Sequence, residues 1–146
     1  MFVNDTHMPQ RLAPSLYTSA EHLEREMERM FQPGWHCIGA LSDLPNEGDY
    51  FTRTLFEKPL ICWKTGGEVH TFLNVCTHRF SLLRDKPCGH MGEHLKCQYH
   101  GWEYDCHGDT QKIPDAQSFK PMAKGELGLR KFRTETAGQL IFVTLN

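Results

Sequence analysis

Two short segments, Cys76-Thr77-His78 and Cys97-Gln98-Tyr99-His100, each place a cysteine and a histidine within a few residues of one another. They constrain the fold more than any other feature of the sequence. If all four side chains are to meet, two loops must be held stiffly and aimed at one point. Eighteen residues separate His78 from Cys97, and each pair follows a strand-like stretch, residues 72–75 and Leu95-Lys96 respectively. The expectation is therefore two loops at strand ends. Thiolate is soft and anionic while imidazole is neutral, so a Cys2His2 set suits zinc or an iron–sulfur centre and argues against calcium or magnesium. Zinc fingers usually draw both cysteines from one knuckle and both histidines from another. Here each loop supplies one of each, which suits a two-iron cluster with the cysteines on one iron and the histidines on the other. On ligand type alone, both metals stay open.

The rest of the composition sets bounds. A chain of 146 residues fits one domain that buries roughly 70% of its unfolded surface. Six cysteines are too few for a disulfide-rich scaffold. A net charge of -2 gives no electrostatic reason to expect nucleic acid or an anionic membrane as partner. The run Leu140-Ile141-Phe142-Val143 is a strand's length, far short of a membrane span. Met1-Phe2-Val3-Asn4-Asp5 lacks the basic and apolar stretches of a signal peptide. The expectation is a cytoplasmic protein with reduced or metal-bound cysteines.

Residues 1–16, with Pro9 and Pro14 and no periodicity, read as an extended arm preceding a domain over 17–146. Thr18 and Glu21 stand at capping-box spacing before a helix. Leu23, Met27, Met30 and Phe31 fall on one helical face and are expected in the core; Pro33-Gly34 ends the helix. From Trp35 the pattern is β. Residues 48–56, 59–64 and 68–73 read as strands, the last two joined through Thr65-Gly66-Gly67. Further hairpins are expected around His107-Gly108-Asp109 and through Ala137-Gly138. Regularly spaced short strands indicate a mainly β, small antiparallel domain with an N-terminal helix.

The residues around the two pairs are specific. Asn74-Val75-Cys76-Thr77-His78-Arg79 and Cys97-Gln98-Tyr99-His100-Gly101-Trp102 closely resemble the two cluster-binding boxes of Rieske-type ring-hydroxylating oxygenase large (alpha) subunits. Phe31-Gln32-Pro33-Gly34-Trp35-His36-Cys37-Ile38-Gly39 is similar to that family's entry into its Rieske domain. So are Gly48-Asp49-Tyr50, the segment 108–119 with Ile113-Pro114-Asp115, and the closing strand 138–145. The resemblance covers about residue 17 onward. It implies an iron–sulfur hairpin subdomain inserted in a β-sandwich, with a [2Fe-2S] cluster on Cys76, His78, Cys97 and His100. It also implies electron delivery to a mononuclear Fe(II) in a C-terminal catalytic domain that this chain does not include. A ferredoxin or flavin reductase is the implied donor, and a homotrimer the implied full-length assembly. No oxygenase active site is expected in these residues alone, and the substrate is not legible in them. A standalone Rieske ferredoxin is the second reading, and a zinc-stabilised binding module a third.

Departures from the family bear on the subfamily: Phe80-Ser81 stand where a small pair is usual, and the segment between boxes is slightly long. Respiratory-complex Rieske proteins carry an extra cysteine in each box and a serine after the second His-Gly; this chain has Ser81, Tyr99 and Trp102 there. Fewer donors to the cluster imply a potential at the low end of the Rieske range, around −150 mV. Neutral imidazoles make their iron the more easily reduced, so the resemblance implies electron uptake beside His78 and His100. Coupled proton uptake at the outer ring nitrogens would make the potential pH-dependent. Cys88-Gly89-His90 repeats the spacing but reads as a loop, and His90-Met91-Gly92-Glu93-His94 lacks the helix needed to aim both histidines at one iron. Cys37, Cys62 and Cys106 read as small core or strand residues.

Overall fold

The computed structural model describes residues 12–122 and 124–146, in two compact units that meet in sequence at Pro33/Gly34. Most of the expected arm, residues 1–11, lies outside the described residues, and the last expected arm residues, Ser15 and Leu16, already belong to a helical turn.

In the first unit α1 (Ser15–Thr18) is followed by α2 (Ala20–Glu26), which runs on as a π turn over Met27–Phe31. The cap is Ser19, not the expected Thr18. Ser19 is extended (φ −79°, ψ 119°) and its hydroxyl accepts from the His22 N–H at 3.2 Å, whereas Thr18 is the last residue of α1. The wide turn closes through the Gln32 N–H to the Met27 carbonyl, 2.8 Å, immediately before Pro33. The expected burial of the apolar stripe is not observed. Leu23, Met30 and Phe31 are 55%, 63% and 39% exposed. A helical stripe is buried only where a second layer covers it, and the described residues of this unit supply none.

The second unit is antiparallel β. Its strands are β1 (His36–Ala40), β2 (Asp49–Leu55), β3 (Lys58–Thr65), β4 (Glu68–Leu73) and β5 (Cys88–His90). Then follow β6 (Leu95–Lys96), β7 (Glu103–Tyr104), β8 (Thr110–Lys112), β9 (Lys131–Ala137) and β10 (Leu140–Thr144). Seven strands pair in the order β1-β10-β9-β4-β3-β2-β5, and β6-β7-β8 form a separate small sheet inserted in sequence between β5 and β9. At the β3–β4 turn Gly66 and Gly67 both have positive φ (63° and 78°), the geometry that keeps a two-residue hairpin in step with strand twist.

Alternation along β2 and β3 joins two cores. Leu60 and Cys62 of β3, with Phe51 of β2, pack with Ile38, Phe132 and Ile141. Ile61 and Trp63, with Tyr50, face the other way, toward Leu83, Leu95, Trp102 and Tyr104. Successive strand side chains point to opposite faces, so a strand buried on both sides reads as a nearly unbroken apolar run, as residues 59–64 do. Each fully buried aliphatic or aromatic chain here contributes roughly 1.5–3 kcal/mol. The second core contains Cys76 and Cys97, so the sheet that closes the sandwich also anchors both loops.

Two expectations are corrected here. Cys88-Gly89-His90 is not a loop but an edge strand paired to β2 through Asp49↔His90, Tyr50↔Gly89 and Phe51↔Cys88. That pairing satisfies the outer backbone groups of β2. Gly89 permits it, because a Cβ there would stand 3.0 Å from the Tyr50 ring. Cys106 lies half-buried in the β7–β8 turn, neither core nor strand, whereas Cys62 is buried and Cys37 is exposed on β1. Among the described residues no helix is long and apolar enough to cross a membrane.

Candidate metal centre

Both loops close in the same way. In the first, the Cys76 N–H donates to the Ser81 carbonyl (2.8 Å) and the Phe80 N–H to the Cys76 carbonyl (2.9 Å). In the second, the Cys97 N–H donates to the Trp102 carbonyl (2.7 Å) and the Gly101 N–H to the Cys97 carbonyl (3.1 Å). The fifth residue of each loop is left-handed: Gly101 at φ 71° and Phe80 at φ 56°. A glycine adopts this at no steric cost, but a phenylalanine carries about 1 kcal/mol of strain. The departure at Phe80 therefore falls at the position where the loop geometry asks for glycine.

The closures bring the four expected ligands together as two pairs. Cys76 and Cys97 are each 1% exposed and their thiols interact with one another. The His78 and His100 rings lie 4.7 Å apart, nearly perpendicular. His78 is stacked on Trp102 (5.0 Å, 3°) and meets the edge of Phe119 at 5.6 Å, while His100 is exposed. Burial, His100 and Arg79 all hold the His78 pKa below the usual histidine value, which keeps its ring in the neutral form that binds metal. A cavity of about 470 Å³, lined by His78, Arg79, His100, Trp102, Pro114 and Asp115, opens beside the two rings.

The donors around the sulfurs differ. Burial pushes the Cys76 thiol up. Burial also raises Cys97, but the Tyr99 and His100 N–H groups and the Ser81 hydroxyl outweigh it and hold that thiol below the ordinary cysteine value. Ser81 Oγ lies 3.6 Å from Cys97 Sγ, and Tyr104 OH lies 3.1 Å from Cys76 Sγ. The Tyr104 oxygen accepts from the Thr77 N–H (3.2 Å), and Thr77 Oγ1, 3.1 Å away, donates its own proton to the Leu127 carbonyl at 2.7 Å. The phenol proton is thereby left for Cys76 or the Thr77 oxygen, and a thiolate is the stronger acceptor.

The fit to a metal group rests on one atom. His78 Nδ1 is buried with no hydrogen-bond partner, an arrangement that costs free energy unless something takes up its lone pair. Among the described residues no three His, Cys, Asp or Glu side chains converge as they would around a single ion. The described residues hold the thiols as one pair and the imidazoles as another. The other candidates stay apart: His90 Nδ1 pairs with Asp49 Oδ1 at 3.0 Å, and Gly92, at φ 72°, breaks the chain before His94. Tyr104, two residues beyond the second box, is the side chain against Cys76 that the sequence reading did not single out.

Taken together, fold and side chains define a Rieske-type β domain. Residues 34–133 match the Rieske [2Fe-2S] domain, and the chain belongs to that family. It is 34% identical over 134 residues to the biphenyl 2,3-dioxygenase alpha subunit of Rhodococcus jostii (strain RHA1), covering 90% of this chain and 29% of that protein. It is equally identical, over 90% of its length and 30% of the relative's, to the chloroplastic choline monooxygenase of Atriplex hortensis. The quaternary ammonium Rieske monooxygenase CntA superposes with a TM-score of 0.83 at 23% identity, over 90% of this chain and 37% of CntA, a likeness of fold. The chain thus spans about 30% of the length of the curated relatives it matches.

Proposed function

We propose that Cys76, His78, Cys97 and His100 hold a [2Fe-2S] cluster and that residues 17–146 form the electron-transfer domain of a Rieske oxygenase. The observation that carries this reading is the division of four donors into a thiol pair and an imidazole pair, with His78 Nδ1 buried and unpartnered. When bound, such a cluster takes up and releases one electron at a time. The residues around it supply the rest. The buried thiols and their Ser81 and Tyr104 neighbours hold the sulfur side away from water. Trp102 and Phe119 wall His78 so that Nδ1 turns inward, leaving Nε2 to carry a proton. His100 presents its ring at the surface, where a partner can approach it.

Alignment with oxygenases extends over 134 residues, beyond the 34–133 domain, which favours an oxygenase component over a free ferredoxin. In this reading a ferredoxin or flavin reductase supplies electrons, and a mononuclear Fe(II) in a catalytic domain receives them. A homotrimeric full-length assembly belongs to the same reading; for a quaternary ammonium Rieske monooxygenase of similar fold, inter-subunit electron transfer is described. We place the protein in the cytoplasm.

Anaerobically purified chain should contain iron and acid-labile sulfide in equal amounts and show the rhombic EPR signal of a reduced mixed-ligand cluster. His100→Ala should abolish that signal. Zinc without sulfide, or a colour indifferent to His100→Ala, overturns the assignment.

A further inference from the structure

Loop one is tied to loop two by a residue outside both boxes. At the base of the first loop Asn74 makes two side-chain bonds to the Arg84 main chain: Nδ2 to the Arg84 carbonyl (2.7 Å) and Oδ1 from the Arg84 N–H (3.0 Å). The Leu83 N–H also donates to the Asn74 carbonyl at 3.2 Å, and Val75 bridges Leu82. These bonds clamp the two ends of the first loop together. The Arg84 side chain then leaves that clamp and crosses to the second loop. Its Nη1 donates to the Lys96 carbonyl at 2.8 Å, one residue before Cys97, and to the Leu83 carbonyl at 2.8 Å. The guanidinium is half-buried and lies over the Tyr50 ring at 5.8 Å. Two carbonyls from different loops therefore share one planar cation.

We propose that Arg84 is a positioning residue for the cluster, acting in two ways: its guanidinium sets the spacing between the Cys76 and Cys97 loops, and its fixed charge favours the more negative, reduced state. This rests on the [2Fe-2S] reading above. The geometry separates the two effects. Spacing depends on one nitrogen, Nη1, reaching both carbonyls while the rigid guanidinium lies over the Tyr50 ring, a placement that a flexible ammonium reproduces poorly. Charge depends only on a cation remaining beside Cys97. Burial disfavours that cation while Tyr50, Cys97 and Asp85 favour it, so it faces the sulfur side with less screening than a surface lysine. The remaining polar neighbours on this side do not replace it, because Lys96 Nζ is engaged by Glu103 at 3.3 Å.

The test compares Arg84→Gln and Arg84→Lys with the unaltered chain, each carrying its cluster, by redox titration and by the rate of iron loss to a chelator. Arg84→Gln should disfavour one-electron reduction about tenfold, 59 mV for a one-electron couple, at full iron and sulfide content. Arg84→Lys should keep the potential within about threefold but lose iron at least several-fold faster. A residue that only supported the fold would move the two variants together, so equal shifts overturn the charge role. Unchanged chelation rates in both overturn the spacing role. If Arg84→Gln retains no cluster, Arg84→Lys decides alone: faster iron loss at unchanged potential supports the proposal, and a potential lowered about tenfold overturns it. Failure of the underlying reading is distinct, because the unaltered chain would then contain no iron and sulfide to titrate.

Discussion

Tyr104 shows how much one hydroxyl can decide at this site. Its oxygen is held by the Thr77 N–H while its proton is directed to Cys76 Sγ, 3.1 Å away, and burial keeps the phenol protonated by raising its pKa. A donor to sulfur stabilises the state with more negative charge on that sulfur, the reduced one. Hydrogen bonds to charged groups contribute about 1.5–3 kcal/mol, and only part of that differs between oxidation states. Tyr104→Phe should therefore lower the midpoint potential by roughly 50 mV while leaving iron and sulfide content intact; an unchanged potential in a redox titration would show that the hydroxyl does not act on the sulfur. The four proposed ligands could be singled out in the sequence because metal chemistry restricts residue type and spacing together. Tyr104 was not, since a tyrosine in a strand is equally at home in any β core and only the fold brings it to Cys76, 28 positions away. Arg84 was hidden for the same reason: its partner carbonyl belongs to Lys96, and backbone carbonyls leave no mark in a sequence.

At the level of elements, the strands and hairpins could be read because their signals are local. The Gly66-Gly67 turn, the β3–β4 pairing and the β9–β10 hairpin follow from alternation and from glycines at positive φ. The edge strand β5 could not be, because three residues with no apolar alternation become a strand only through the unpaired edge of β2. The helix shows the converse. Its stripe is legible as a pattern, but burial depends on a covering layer that lies outside its own sequence. Gly108 tests the turn that carries the small sheet. It sits at φ 88°, its carbonyl accepts from the Leu129 N–H at 2.7 Å, and a Cβ there would stand 2.7 Å from Phe72 Cε1. Gly138, at φ 60°, has nothing within 4 Å of such a Cβ. Gly138→Ala meets only backbone strain and should cost about 1 kcal/mol. Gly108→Ala adds a clash with a fully buried ring and should cost about 2–4 kcal/mol. Urea denaturation of the two variants side by side gives the comparison, and equal losses would show that Phe72 yields freely.

For the whole molecule, titratable groups set a window of pH in which the fold is most stable. Burial and then Lys131 depress the pKa of His70 below its ordinary 6.5, with His107 adding to them and Glu68, 3.9 Å from the ring, opposing. The native chain thus binds fewer protons than the unfolded one just below pH 6.5, so stability falls as pH drops from 6.5 toward the folded value. A second acid loss comes from two carboxylates. The Asn46 N–H and then His90 hold Asp49 below 3.8. Burial raises Asp105, but Gln111 and the His107 and Asp109 N–H groups outweigh it. Both contributions are complete above pH 3.8 and vanish as pH falls through the depressed values. On the alkaline side burial pushes the Cys62 thiol from 9.0 up to about 12, so the unfolded chain releases a proton that the folded one keeps. Stability is then lost as pH rises above 9. The expected profile is a plateau between about pH 6.5 and 9 with a two-stage acid limb. His70→Gln separates the stages: denaturation midpoints measured across pH 2 to 8 should lose most of the upper step and keep the lower, whereas an upper step that survives the substitution would assign it to another group, His78 first, whose pKa is also held down.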